Sequence, residues 1–357
     1  MARSRLRRVA VVAAALLLVA AAGLVGLTLS IAAIEYRYHR HERQDLYGYV
    51  NIEGYRGPRL NHKRAGEFRT VVVGGSTAYG QGVNATETIS AALERKLRGR
   101  DMSVANLGYM NDGVYADGMT LRDYRYLHYD LAILYEGYND LFNIPNLYSF
   151  RHRSVVFRLT GYFPMFPLVL AEKAKSLRYH GDLNAAYRGD QPVVPIGLPS
   201  RAGAAALEFA ASLDSRMSAA MHEAERTSGG VCGYWTFFCE HVAANVQTAF
   251  DAGADVLFVA QPYLSLPNDS MDGPIAAPLH RGQSERVLSY LQQRFGGDVR
   301  LHVLNFGEVI DLRQPTYRLD NVHLTAAGNE VIAEHLVDPV VAIASQHAAA
   351  QSSAAVH

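Results

Sequence analysis

The longest uncharged segment of the chain lies near its N-terminus, over residues 9–34. Four arginines among the first eight residues precede these 26 mostly apolar positions. A helix needs roughly 20 apolar residues to cross a bilayer, whereas the apolar part of a cleaved secretory signal has only about 7–15. The pattern therefore predicts a basic cytoplasmic N-terminus over 1–8 and a transmembrane signal-anchor over 9–34. A helix buried in a soluble core is disfavoured, because nothing nearby supplies partners for its whole circumference.

The charges that flank this span predict its orientation. The arginines before it outnumber Arg37, Arg40 and Arg43, which follow it, so the positive-inside rule places the N-terminus in the cytoplasm. We expect a single-pass protein of a bacterial inner membrane whose remaining chain faces the periplasm or the cell exterior. Two alternatives stay open. Cleavage after the alanines at 20–22 would release a soluble protein, and the modest charge bias also permits a domain that faces the cytoplasm.

Beyond residue 65, short apolar runs alternate with helical patterns. Runs rich in β-branched and apolar residues predict five buried strands, at 70–73, 103–106, 131–135, 254–260 and 301–304. Helical patterns occur at 86–98, 117–128, 240–252, 284–295 and from Thr325 onward. Strands that alternate with helices indicate a parallel sheet covered on both faces. The pattern predicts an α/β fold, a three-layer α/β/α sandwich around a mostly parallel five-stranded sheet.

The remaining segments suggest a domain organisation. Residues 35–65 are rich in Tyr, Arg and His without a clear period, which we interpret as a juxtamembrane tether. The main α/β domain is expected over 66–346, with an insertion at 143–230 that includes an Ala-rich helix at 203–227. Such an insertion is a lid or substrate wall in some proteins and simple loop packing in others. A disordered tail is expected over 347–357.

Composition narrows the functional classes. The 357 residues include 34 Lys and Arg against 34 Asp and Glu, and no basic block is present. Nucleic-acid binding, which depends on neutralising phosphates, is therefore not expected. Two cysteines are too few for a disulfide scaffold or a four-thiolate metal site. We expect no metal and no cofactor.

Polar residues cluster where four of the predicted strands end. In an open parallel sheet, functional residues lie beyond the C-terminal ends of the strands. Ser76 follows two glycines after the first strand, Gly108 follows the second, and Asn139 follows the third. Asp320 and His323 lie just before the final helix. Each of these segments alone is typical of a turn, but four in this order are hard to explain as turns.

These five residues are those that acyl transfer requires. A serine hydroxyl becomes a strong nucleophile when a base takes its proton, and a histidine, with an ordinary pKa of about 6.5, is that base near neutral pH. Asp320 would hold the tautomer of His323 and stabilise the imidazolium. The backbone N–H groups of Ser76 and Gly108 and the side-chain amide of Asn139 would form an oxyanion hole.

Competing catalytic motifs are excluded by particular residues. The nucleophile elbow of α/β-hydrolases has glycine two places after its serine, and position 78 is Ala78 here. A phosphate-binding loop needs lysine after its glycines, and none follows Gly75. The chain has no HExxH zinc motif, and its 14 histidines show no metal-ligand spacing.

The order Ser76, Gly108, Asn139, Asp320 and His323 resembles the SGNH hydrolases, also called GDSL esterases and lipases. The resemblance covers about residues 65–345 and implies the flavodoxin-like SGNH fold. It also implies an ester hydrolase with Ser76, His323 and Asp320 as triad, and an oxyanion hole from Ser76, Gly108 and Asn139. The sequence departs from the family at its Gly-Asp-Ser-Leu motif, which reads Gly-Gly-Ser-Thr here. That change leaves the catalytic aspartate in place and argues against close kinship with the well-studied lipases.

Cys232 and Cys239 bracket the single tryptophan, Trp235. In an oxidising compartment two cysteines at this spacing can close a small disulfide loop, and the alternative is a pair of buried thiols. With the predicted anchor we favour the disulfide.

Three functions fit these residues. The first is an ester hydrolase that removes acyl groups, acetyl above all, from acylated carbohydrate or lipid. The second is an O-acetyltransferase that uses the same triad on an exopolysaccharide or cell-wall glycan. The third is a non-catalytic carbohydrate-binding module, which we disfavour because all five catalytic positions carry competent residues. We predict the hydrolase. The hydrolase and the acetyltransferase share an acyl-serine intermediate and differ in the nucleophile that accepts the acyl group, which is water in the first and a glycan hydroxyl in the second.

Overall fold

The computed structural model describes residues 2–40, 50–141, 147, 149–164, 166–181, 230–264 and 276–354. In chain order its first half contains α1 (Ala2–Arg40), β1 (Phe68–Gly74), α2 (Ser76–Tyr79), α3 (Ile89–Lys96), β2 (Met102–Asn106), α4 (Val114–Asp123) and β3 (Leu131–Glu136). Its second half contains α5 (Phe150–Arg153), α6 (Val155–Thr160), α7 (Phe166–Arg178), α8 (Thr236–Asp251), β4 (Asp255–Ala260), α9 (Ala276–Phe295), β5 (Leu301–Asn305), α10 (Phe306–Val309) and α11 (Ala326–Ala354).

The five strands form one parallel sheet in the order β2-β1-β3-β4-β5. Every residue of β1, β3 and β4 is buried, as expected for a sheet covered on both faces. Side chains alternate along β1, so Val71 and Val73 join the core on one face and Val72 joins the core on the other. Helices α4, α8 and α9 cover the first face, and α3 and α11 cover the second. The predicted three-layer α/β/α fold is confirmed.

The predicted helix at 86–98 is split into two elements. A 3-10 turn occupies Ala85–Glu87, and α3 begins only at Ile89 because the Thr88 hydroxyl accepts a hydrogen bond from the Ala91 N–H at 3.2 Å. A threonine that caps the free N–H groups of a first turn defines a helix start. The spacing of apolar residues indicated the helix. Its start is determined by Thr88, the capping residue inside the predicted range 86–98.

The second half of the expected tether is part of the domain. Val50 and Tyr55 lie in the core, and Arg56 is buried. The Arg56 guanidinium donates to three backbone carbonyls that follow the first strand, those of Tyr79, Gly80 and Val83. A charged side chain is buried only where such acceptors replace water. The tether prediction for 50–65 was therefore wrong, and 41–49 lies outside the described residues.

The expected disordered tail begins inside a helix. Helix α11 runs to Ala354, and its alanines favour the helical state. His347 is tied to the domain, because its Nδ1 lies 2.9 Å from Asp255 Oδ2 and its Nε2 lies 3.5 Å from Asp130 Oδ1. Residues 347–354 are thus helical instead of disordered.

The insertion at 143–230 is described only in part. Helices α5, α6 and α7 come from its first half, and Phe157 and Phe163 are buried in the core beneath them. The predicted Ala-rich helix at 203–227 lies outside the described residues. Just after the insertion, the structure joins Cys232 to Cys239 in a disulfide with a Cα–Cα distance of 6.4 Å.

The apolar N-terminal segment is helical. Within α1, the stretch Val12–Arg37 is long and apolar enough to cross a membrane, and none of its apolar window is buried against the rest of the protein. A single helix of this kind at the N-terminus is compatible with a membrane anchor or with a signal sequence.

Candidate active site

The candidate site lies where the strand order of the sheet reverses. The chain leaves β1 towards β2 on one side and leaves β3 towards β4 on the other, so the loops after these two neighbouring strands run in opposite directions. Ligands bind at such switch points in open parallel sheets. Ser76 follows β1 and Asn139 follows β3, which places both at the switch point.

Ser76 is the first residue of the short helix α2, which starts directly after β1 and Gly75. The side chain is almost buried, with 6% of the residue exposed. Its Oγ lies 2.9 Å from His323 Nε2, although 247 residues separate the two along the chain. The fold therefore brings together the predicted nucleophile and the predicted base within hydrogen-bond distance.

Asp320 and His323 form a local pair. His323 Nδ1 lies 2.7 Å from Asp320 Oδ2, while Asp320 Oδ1 accepts the backbone N–H groups of Val322 and His323 at 2.8 and 2.7 Å. An ionised carboxylate only accepts, so the proton on the ring belongs to Nδ1, and Nε2 is left to accept the Ser76 hydroxyl proton. Partial burial raises the pKa of Asp320, but these hydrogen bonds outweigh it and hold the pKa below its ordinary value.

The amide of Asn139 is held tightly between two loops. Its Nδ2 donates to the backbone carbonyl of Asp112 at 2.5 Å. On the other side it approaches Gly75 so closely that a Cβ there would lie 2.0 Å from Nδ2. Glycine at 75 is therefore required for the amide of Asn139 to lie next to the nucleophile. The sequence indicated Asn139, but this reason for a glycine before Ser76 becomes visible only in the structure.

Gly108, predicted as an oxyanion donor, has its backbone N–H directed to a neighbouring side chain. Its N–H donates to Asn106 Oδ1 at 3.1 Å, and a Cβ on it would lie 2.5 Å from the Tyr79 backbone nitrogen. The glycine is thus explained by close packing of the loop after β2 against helix α2. Asn111, three residues further along this loop, has a left-handed backbone with φ 63°, and Asp112 follows it.

Sequence reasoning missed Gln261, which directly follows β4. The side chain is buried, and its Nε2 donates to Thr77 Oγ1 at 2.6 Å and to the carbonyl of Tyr135 at 3.3 Å. Its Oε1 accepts the Tyr138 N–H at 3.0 Å. The signal was available, because the rule that polar residues follow strand ends applies to β4 as it does to β1 and β3.

Four carboxyl groups are buried behind the site. Burial raises the pKa values of Asp112, Asp117 and Asp140 to about 7, and it raises that of Glu136 further above its ordinary value. The neighbouring Asp117 carboxyl adds to the rise in the pKa of Glu136. The buried Arg151 guanidinium lies 3.8 Å from Asp112 and opposes its shift. Among the residues that the structure describes, no cluster of acidic, histidine or cysteine side chains has a geometry suited to a metal ion.

No protein-family model and no curated protein matches the sequence. Solved structures do match. The chain is similar to Est24, a carbohydrate acetylesterase from Sinorhizobium meliloti, with 12% identity and a TM-score of 0.43 over 78% of this chain and 100% of that chain. It is similar to TesA, with 14% identity and a TM-score of 0.42 over 76% of this chain and 97% of that chain. A GDSL-like lipase from Bacteroides thetaiotaomicron has 12% identity and a TM-score of 0.37 over 78% of this chain and 92% of that chain.

Proposed function

We propose that the chain is a serine ester hydrolase of the SGNH type that acts through an acyl-serine intermediate. The observation that carries the proposal is the continuous hydrogen-bond relay from Ser76 Oγ through His323 to Asp320. A nucleophile, a base and a group that orients the base, in that sequence of contacts, is the arrangement that acyl transfer needs.

In the first half of the reaction, Ser76 Oγ attacks the ester carbonyl while His323 Nε2 takes the hydroxyl proton. Asp320 stabilises the imidazolium that results, because its carboxylate already accepts the Nδ1 proton. The carbonyl oxygen becomes negative, and the Ser76 backbone N–H at the start of α2 and the Asn139 amide are the donors for it. His323 then returns its proton to the alcohol that leaves.

In the second half, a water molecule takes the place of the alcohol. His323 Nε2 accepts a proton from that water, and the hydroxide attacks the acyl carbon on Ser76. The same donors stabilise the second oxyanion, and collapse of the intermediate releases the carboxylic acid and restores the Ser76 hydroxyl. The residues therefore return to their starting protonation states after each cycle.

We place this activity on the outer side of a bacterial inner membrane, on acyl esters of envelope carbohydrate or lipid. The support for this is the apolar stretch Val12–Arg37 and the arginines before it, which favour an N-terminus in the cytoplasm. A disulfide between Cys232 and Cys239 fits the same side, because thiols in the cytoplasm stay reduced. Acetyl is the acyl group that we would test first.

The test uses the full-length protein in detergent with a chromogenic acetyl ester, with and without an acetyl-accepting polysaccharide. We expect free acetate in both arms, labelling of the protein by a fluorophosphonate probe, and loss of both signals in Ser76→Ala. Acetylated polysaccharide in place of free acetate would convert the assignment to a transferase. Full hydrolysis by a folded Ser76→Ala variant would refute the proposed nucleophile.

A further inference from the structure

Helices α6 and α7 expose large apolar side chains that the core does not use. Val155, Val156 and Leu159 of α6 are 67%, 46% and 80% exposed, and Leu170 and Leu177 of α7 are 62% and 72% exposed. Single exposed apolar residues are ordinary on protein surfaces, but five on two consecutive short helices are more than scattered exposure explains. We call these five residues the apolar face.

The spacing of these residues gives each helix an exposed apolar side. Positions 155, 156 and 159 lie together on a helix, while Phe157 points to the opposite side and is buried in the core. Leu170 and Leu177 are two turns apart on one side of α7. Each helix therefore has an apolar side directed away from the domain.

The loop between these two helices is attached to the end of the apolar stretch in α1. Glu35 directly follows the uncharged residues 9–34, and it is buried. Its carboxylate accepts the Tyr162 hydroxyl and also the Phe166 backbone N–H at 2.5 Å. Tyr162 follows α6 and Phe166 begins α7, so the apolar face and the end of the proposed membrane span are neighbours.

We infer that α6 and α7 lie on the lipid bilayer beside the anchor, with the apolar face inserted at the boundary between headgroups and acyl chains. Short amphipathic helices with basic residues near their apolar side bind membranes in this way. Arg158, Lys173 and Arg178 are exposed on the same two helices and suit phosphate headgroups. The inference rests on the proposed anchor and is independent of the proposed hydrolysis.

This contact would hold the active site close to the membrane. Helix α5 immediately precedes α6, and its Arg151 is fully buried. The Arg151 guanidinium donates to the carbonyl of Leu107 at 2.9 Å and to that of Gly54 at 3.0 Å. Leu107 belongs to the loop after β2 that also carries Gly108. A segment seated on the bilayer is thereby bonded to the end of the sheet that carries the site.

The experiment places an environment-sensitive fluorophore at single positions of the full-length protein. The native cysteines form the disulfide, so an introduced cysteine is the only thiol available for labelling. Leu159→Cys and Leu177→Cys report on the apolar face, and Leu17→Cys reports on the anchor. Val299→Cys is the matched control, because it is 83% exposed and precedes β5, at the sheet edge opposite β2.

Each variant is reconstituted into vesicles of phosphatidylcholine and phosphatidylglycerol, with a nitroxide-labelled lipid or with aqueous iodide as quencher. We expect the lipid nitroxide to quench the labels at 159 and 177 several-fold more than the label at 299, and iodide to quench in the reverse order. Iodide quenching at 159 and 177 equal to that at 299 would overturn the inference. Protection of both labels from both quenchers would also overturn it, since protein would then cover the apolar face.

The label at Leu17 separates two kinds of failure. Nitroxide quenching at 17 without quenching at 159 and 177 would leave the anchor in place and reject the docking of α6 and α7. Absence of quenching at 17 would reject the anchor together with the docking. Ester hydrolysis measured on the same samples is independent of both results.

Discussion

Gln261 Nε2 donates a hydrogen bond to Thr77 Oγ1 at 2.6 Å. The same amide accepts the Tyr138 N–H through Oε1. Thr77 follows the proposed nucleophile Ser76, and Tyr138 precedes Asn139, so one buried side chain connects the two loops that carry the proposed chemistry. Their relative position is therefore controlled from the end of a third strand, β4.

Loss of this connection is expected to slow the chemical step. Thr77→Val removes the oxygen that accepts the Gln261 amide, while Thr77→Ser keeps it. Since small displacements of catalytic groups have large effects on rate, we expect Thr77→Val to lower kcat roughly 10- to 100-fold with little change in KM. Thr77→Ser should retain most of kcat. Equal rates for the two variants at unchanged Tm would show that this hydrogen bond has no positioning role.

The three triad residues are expected to act as one unit. Ser76→Ala and His323→Ala should each reduce kcat to near the background, and Asp320→Asn somewhat less. Because groups that act together give non-additive losses, the double variant of Ser76 and His323 should be about as slow as either single variant. The measurement is steady-state hydrolysis of an acetyl ester, with Tm as the check on folding. Losses that multiply in the double variant would mean that the two residues act separately.

Gly75→Ala is expected to impair catalysis by displacing Asn139. The new Cβ would occupy the position of the Asn139 amide, so the oxyanion would lose a donor. Loss of one such donor costs on the order of 10²–10³ in rate, and Asn139→Ala should give a similar fall in kcat. Gly230→Ala is the matched control, since a Cβ there meets no atom within 4 Å. A rise in KM alone in Asn139→Ala would make this residue a substrate-binding group.

The sheet was predictable because strands that are buried on both faces appear in the sequence as continuous apolar runs. In β1, β3 and β4 every residue is buried, and continuous apolar runs bounded by glycine or helical patterns indicated them. Ser76 was predicted from the rule that functional residues follow strand ends, and His323 from its place just before the final helix. The contact at 2.9 Å between Ser76 Oγ and His323 Nε2 depends on the tertiary fold, because 247 residues separate the two positions along the chain.

What the sequence left hidden depends on tertiary contacts. Arg56 looks like a surface residue, and its burial depends on carbonyls brought to it from the segment after β1. Gly108 was predicted as an oxyanion donor, and the sequence did not show that its N–H is bonded to Asn106 or that its small size is explained by contact with α2. The partners of Arg56 are carbonyls on a different segment of the chain. The partner of the Gly108 N–H is a side chain, that of Asn106, whose direction cannot be predicted from the sequence.

The orientation of the domain is open to a direct test. If the N-terminus is cytoplasmic, protease added to intact spheroplasts should digest the domain without lysis. The physical reason is the excess of arginines before the apolar stretch Val12–Arg37. A cytoplasmic protein assayed in the same sample is the control for leakage. Protection of the domain until lysis would reverse the orientation and remove envelope esters from the substrate list.

The buried carboxyls behind the site are expected to make folding stability depend on pH. Asp112, Asp117 and Asp140 have pKa values raised to about 7 by burial, so between pH of about 4 and 7 the folded chain keeps protons that the unfolded chain releases. Stability from these groups therefore falls as pH rises through that window. The buried His280, whose pKa is lowered to about 3, contributes a slope of the opposite sign.

Asp117→Asn isolates one of these groups, because an amide matches a protonated carboxyl in shape and does not titrate. One pKa unit corresponds to about 1.4 kcal/mol, so we expect the variant to gain on the order of 1 kcal/mol over the wild type between pH 5 and 7. Denaturant unfolding at both pH values gives this difference. Glu334→Gln is the matched surface control, since its pKa is lowered by Lys96 and it is mostly ionised in both states over that range. A difference between Asp117→Asn and wild type that stays constant from pH 5 to 7 would show that Asp117 is already ionised in the folded protein.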